Sequence, residues 1–96
     1  MRLRYTATAR AATDEILADI ANDNPPAAAA VGAAIKAAIA RLRYFPRIGA
    51  ETDETGVHMK IVRPYRYLIF SSIDGDWIEI RNVCHPARRR PPSDRA

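Results

Sequence analysis

Apolar positions recur every three or four residues in the first half of the chain and every second residue in the second half, so helices precede strands. Leu3-Arg4-Tyr5 alternates and predicts a short edge strand. Thr6 or Thr8 can cap the helix that follows, since a threonine oxygen accepts an orphan backbone N–H. Residues 9–21 lack Gly and Pro. Thr13, Ile16, Leu17 and Ile20 form one stripe there, while Asp14, Glu15 and Asp19 take other faces and Arg10 lies at the stripe's edge. Asn22-Asp23-Asn24-Pro25-Pro26 stops this helix, because Pro25 pushes Asn24 out of the α region and Pro26 suits the first turn of another. A second helix is predicted over 26–44. Its stripe is Ala28, Val31, Ile35, Ile39 and Leu42, with Arg41 opposite and Lys36 and Arg43 along one edge. The short breaker makes the pair an antiparallel hairpin, and Gly32 is expected to let the helices approach closely.

Phe45-Pro46-Arg47-Ile48-Gly49 ends the second helix, and the polar, acidic residues 50–56 read as a loop. Val57–Val62 predicts a strand that Arg63-Pro64 breaks. Tyr65–Ser71 begins another, and Asp74-Gly75 signals a tight turn. Trp77–Cys84 predicts a third, with Trp77, Glu79, Arg81 and Val83 on one face and Ile78, Ile80, Asn82 and Cys84 on the other. Cys84 is expected to be buried. The fold class is thus α+β: an N-terminal strand, a helical hairpin, then a three-stranded antiparallel meander with the hairpin on one face. Residues 1–88 read as a single domain and 89–96 as a mobile tail rich in Arg and Pro.

Composition narrows the function classes. A chain of 96 residues builds one domain with a thin core, and much of its 48% apolar content is alanine, which adds little core volume. No apolar run reaches the roughly 18 residues of a membrane helix. The N-terminus has no apolar stretch behind its basic residues, so a cytoplasmic protein is expected. A single cysteine forms no internal disulfide, and no metal-ligand spacing, Gly-rich phosphate loop or Ser/His/Asp arrangement is present, so no metal and no cofactor is expected. Net charge is +4. Residues 1–56 hold seven basic and seven acidic side chains and cancel, whereas 57–96 hold eight basic and four acidic. That asymmetry suits an anionic partner.

Four segments carry a resemblance: Ile16…Ile20-Ala21…Asn24-Pro25, Leu42…Phe45-Pro46…Gly49, Val62-Arg63-Pro64-Tyr65-Arg66-Tyr67-Leu68-Ile69-Phe70, and Ile80-x-Asn82-Val83-x-His85-Pro86-Ala87-Arg88. In this order they resemble the ParE/RelE superfamily of type II toxin–antitoxin toxins. The third looks like the family's R-x-Y-R-Y-L-I-F/Y strand pair and the fourth like the ParE ending I-x-x-V/I-x-H-x-A-R. The resemblance implies a toxin in a hetero-oligomeric complex with a cognate ParD-like antitoxin, touching operator DNA only through that antitoxin. ParE-like members poison DNA gyrase; RelE-like members cleave mRNA in the ribosomal A site.

Metal-free RNA cleavage needs a base for the 2′-OH, an acid for the 5′-oxygen and cations on the phosphate. Arg63, Arg66, Arg81 and His85 are the candidates for phosphate contact and acid–base work, with Glu51, Glu54 or His58 as base. Against this, no tyrosine follows Tyr67 and residues 47–62 hold only Arg47 and Lys60 as cations. A gyrase poison needs no catalytic residue, only surfaces, and His85, Arg88, Arg89 and Arg90 are the expected target contacts. Trp77, Tyr65 and Tyr67 read as packing residues. An antitoxin helix is expected in a groove along Leu17, Ile20, Val31 and Ile35 and over the outer sheet face. The reading is therefore a ParE-like gyrase poison, with a RelE-like nuclease and a non-toxic antitoxin-binding protein as alternatives.

Overall fold

A computed structural model describes residues 1–85. Its elements are β1 (Arg2–Tyr5), α1 (Ala7–Asp23), α2 (Pro25–Leu42), β2 (Ala50–Glu51), β3 (Val57–Val62), β4 (Tyr67–Asp74) and β5 (Trp77–Cys84). The strands form one mixed sheet in the order β1-β5-β4-β3-β2, with β1 parallel to β5 and every other pair antiparallel. The α+β arrangement, the hairpin and the meander match the expectation. Ala50–Glu51 departs from it: instead of looping free, these residues pair with Met59 and His58 and lengthen the sheet.

Capping explains the helix limits. Thr6 accepts from the Ala9 N–H at 3.0 Å and starts α1 two residues before the periodicity alone does. Asn24 serves both helices: its N–H donates to the Ile20 carbonyl at 2.8 Å, and its Oδ1 accepts from the Ala27 N–H at 3.1 Å. One residue thus closes α1 and opens α2, so the chain reverses without a longer loop.

The core lies between the hairpin and one face of the sheet, joining Ala9, Val31, Ile35, Ala38, Ile39 and Leu42 to Val62, Tyr67, Ile69, Ile78, Ile80 and Val83. Each fully buried Ile, Leu or Val contributes about 1.5–3 kcal/mol. The expected faces of the last strand hold only to Ile80. Phe70 pairs with Asn82 but Ser71 pairs with Ile80, so β5 carries one extra residue at Arg81–Asn82. This bulge returns Val83 to the core face with Ile78 and Ile80, and Cys84, opposite Leu68, is half-buried on the other face rather than buried. Strict alternation misplaces both because it assumes an unbroken period of two.

The turn between β3 and β4 takes Arg63 to Arg66, later than the expected strand start at Tyr65. Arg66 adopts φ 67° and its N–H bonds the Val62 carbonyl at 2.6 Å. Gly32 does not hold the helices in close approach. A methyl group there would meet the Leu17 side chain at 3.5 Å, an ordinary contact. Gly49 is the position that excludes a side chain: φ is 101°, and a Cβ would clash with the Met59 carbonyl oxygen.

Thermal unfolding should therefore separate two glycines. Gly49→Ala combines a forbidden φ with a backbone clash and should cost about 2 kcal/mol or more, lowering Tm by roughly 10 °C. Gly32→Ala should raise Tm, because mid-helix glycine costs about 1 kcal/mol relative to alanine.

Candidate functional site

Thr6 positions β5 as well as α1. Its N–H donates to the Ile80 carbonyl at 3.0 Å and its Oγ1 donates to the Arg81 carbonyl at 3.0 Å. The bulge is thus held by the residue that starts the hairpin, and Arg81 is aimed at the outer face. There it meets Glu54 at 3.4 Å and Glu79 at 3.6 Å. Arg4, beside it on β1, reaches Asp74 at 2.6 Å and Glu79 at 3.3 Å. Arg2 and Arg4 lie over the Trp77 ring at 5.4 and 5.3 Å, so Trp77 is a packing platform, as expected. This half of the outer face is a ladder of alternating charge. The β3–β4 half is apolar: Met59 faces Phe70, Ile61 faces Leu68, and Leu68 faces Cys84 across the strands.

Three of the four ribonuclease candidates share one end of the sheet, and Arg81 does not join them. Arg63 and Arg66 are exposed in the β3–β4 turn, at the end of the sheet where His85 meets the Tyr67 ring edge-on at 5.1 Å. Arg81 is engaged by two carboxylates instead of facing that end. Of the possible bases, Glu54 is spent on Arg81, and Glu51 and His58 pair across β2 and β3. His58 lies opposite Ser71 and its Nδ1 is buried without a hydrogen bond. Strand rise and spacing put His58 about 16 Å from His85, too far for one scissile phosphate to reach both. Among the described residues no group of three His, Cys, Asp or Glu is placed to hold a metal.

The four residues expected to receive an antitoxin are placed differently from one another. Val31 is 4% and Ile35 2% exposed, and both pack the hairpin onto the sheet. Leu17 and Ile20 are half-buried against the same core. The apolar stripe therefore faces inward, because a thin core needs it, and Val31 and Ile35 have almost no surface left for a partner. A groove of about 190 Å³ opens beside it, lined by Tyr5, Arg10, Thr13, Asp14, Gly32, Ile35, Lys36 and Ile39. Ile35 is its floor, and Arg10 lies over the Tyr5 ring at 5.2 Å. Sequence reasoning missed most of this lining. The signal was the pair of stripe edges: Arg10, Thr13 and Asp14 on α1, and Lys36 between Gly32 and Ile39 on α2.

Arg88, Arg89 and Arg90 lie outside the described residues, as does the whole of 86–96. No described helix is long and apolar enough to cross a membrane.

Comparison with known proteins follows this geometry. Residues 3–90 match the family model described as ParE toxin of type II toxin–antitoxin system, parDE. None of the curated proteins gives a significant match. Among solved structures, a chain of the chromosomal ParDE toxin–antitoxin system from P. aeruginosa is similar in fold, with TM-score 0.73 and 18% identity, covering 88% of this chain and 95% of that one.

The roles of Thr6 and Glu79 can be separated by stability. Thr6→Ala removes a helix cap and the strand contacts together and should cost about 1–2 kcal/mol. Glu79→Gln loosens two solvent-facing ion pairs and should cost less than about 1 kcal/mol, a difference that 1 M salt should erase. Equal losses in chemical denaturation would refute this ranking.

Proposed function

We propose that this chain, which belongs to the ParE toxin family of type II toxin–antitoxin systems, is a cytoplasmic toxin that binds DNA gyrase and favours its cleaved-DNA state. A ParD-like antitoxin holds it inactive in a hetero-oligomeric complex, and operator DNA is contacted only through that antitoxin. The observation that carries this reading is the family match over 3–90. The dispersal of Arg81, His58 and His85 over the sheet supports it further. A poison acts by differential affinity for one state of its target, so it needs surfaces and no catalytic constellation.

The target surface in this reading begins at His85, which the Tyr67 ring supports at the end of β5, and continues into the basic segment Arg88, Arg89 and Arg90. Residues 1–88 form the domain and 89–96 the tail that reaches the target. The antitoxin takes the groove of the hairpin, at its rim of Arg10, Thr13, Asp14 and Lys36 and along the half-buried Leu17 and Ile20.

The deciding assay adds antitoxin-free protein to purified gyrase with ATP and plasmid DNA. Inhibited supercoiling with accumulated cleaved DNA is expected, and Arg88→Ala combined with deletion of 89–96 should relieve it. Arg81→Ala should leave it in place. Ribosome-dependent mRNA cleavage that Arg81→Ala abolishes, with no effect on gyrase, would replace this reading with the nuclease. Normal growth on expression without antitoxin would replace it with the non-toxic alternative.

A further inference from the structure

Between Asp23 and Glu51 the chain has no acidic residue and four basic ones: Lys36, Arg41, Arg43 and Arg47. The same stretch carries the two most exposed large hydrophobic side chains described, Tyr44 at 75% and Phe45 at 57%. They follow α2 directly, where the Phe45 N–H still bonds the Arg41 carbonyl at 2.9 Å. Arg43 Nε donates to the Met1 carbonyl at 3.2 Å and so brings the chain start to the end of α2. Met1 is itself 40% exposed. Three of the five exposed large hydrophobics thus gather at one place, amid three arginines. Tyr, Phe, Met and Arg are the residue types enriched in the centre of protein interfaces.

We infer that this patch is a second docking surface for the antitoxin, taking an acidic segment that also carries apolar side chains; the inference rests on the antitoxin reading above. Continuity supports it. Gly32, Lys36 and Ile39 on α2 and Arg43 at its C-cap follow one another at steps of four, three and four, so the hairpin groove runs along α2 into the patch over about 16 Å. Charge supports it as well, since groove rim and patch together present Arg10, Lys36, Arg41, Arg43 and Arg47 against Asp14 alone. The occupant is a standing partner, not a target met in passing. Two aromatic rings and a methionine left in water are a solubility liability in a small domain, and only a partner present at rest keeps them covered. An anion-only ligand would leave the rings unexplained.

The test measures competition for the cognate antitoxin against a labelled wild-type toxin. Tyr44→Ser with Phe45→Ser should weaken binding about 30-fold, the scale of an interface hot spot. Arg41→Gln with Arg47→Gln should weaken it about 10-fold and flatten its salt dependence. All four side chains are exposed, so circular dichroism and Tm should stay unchanged, and gyrase inhibition by the free variants should persist. Antitoxin affinity within twofold of wild type would overturn the inference. So would lost gyrase inhibition with antitoxin binding intact, which makes the patch a target surface. Loss of concentration-dependent self-association with antitoxin binding intact would make it a contact between two copies of this chain and overturn it equally. Failure of the wild-type chain to bind the antitoxin would remove the antitoxin reading itself.

Discussion

Thr6 closes the parallel pair β1–β5 and opens α1 within a single residue. Its N–H is the last rung to Ile80, its hydroxyl donates to the carbonyls of Ile80 and Arg81, and its oxygen accepts the orphan N–H of Ala9 in the first turn of the helix. No slack remains between strand and helix, so the hairpin leaves the sheet in one direction only. Ala9, fully buried three residues on, sits against the strands as a consequence. Alanine there is a packing requirement, because a larger side chain would lift α1 off β5.

The bulge at Arg81–Asn82 depends on the same contact and divides the two faces of the sheet. Toward the helices it keeps Ile78, Ile80 and Val83 in one apolar row. Away from them it delivers Arg81 to the carboxylates of Glu54 and Glu79. A side chain that the composition offers as a phosphate ligand becomes part of a surface charge ladder with Arg4 and Asp74. Such pairs add little stability in water.

In the proposed reading this protein works through surfaces. The basic hairpin groove runs into the exposed end of α2, and the apolar half of the outer sheet face lies apart from both. They suit the proposed role, in which an antitoxin switches activity by covering them. Its thin core makes such coverage energetically useful, because each apolar side chain withdrawn from water by a partner adds to a stability that 96 residues alone keep modest.

The order of elements was legible in local chemistry. The helical stripes, the Asn24-Pro25-Pro26 reversal and the Asp74-Gly75 turn are properties of neighbouring residues, and so is the ordered set of motifs that carries the family resemblance. Three things were not legible, and each depends on contacts between residues far apart in sequence. Ala50–Glu51 is a strand only because β3 offers an edge. Val83 changes face because β4 pairs across a bulge that no period of two contains. Val31 and Ile35 are core residues because the sheet needs that stripe, which leaves partners the polar-edged groove beside it. Sequence determines which local structures are cheap. Tertiary packing decides which side of each one reaches solvent, because burial is settled by what lies opposite.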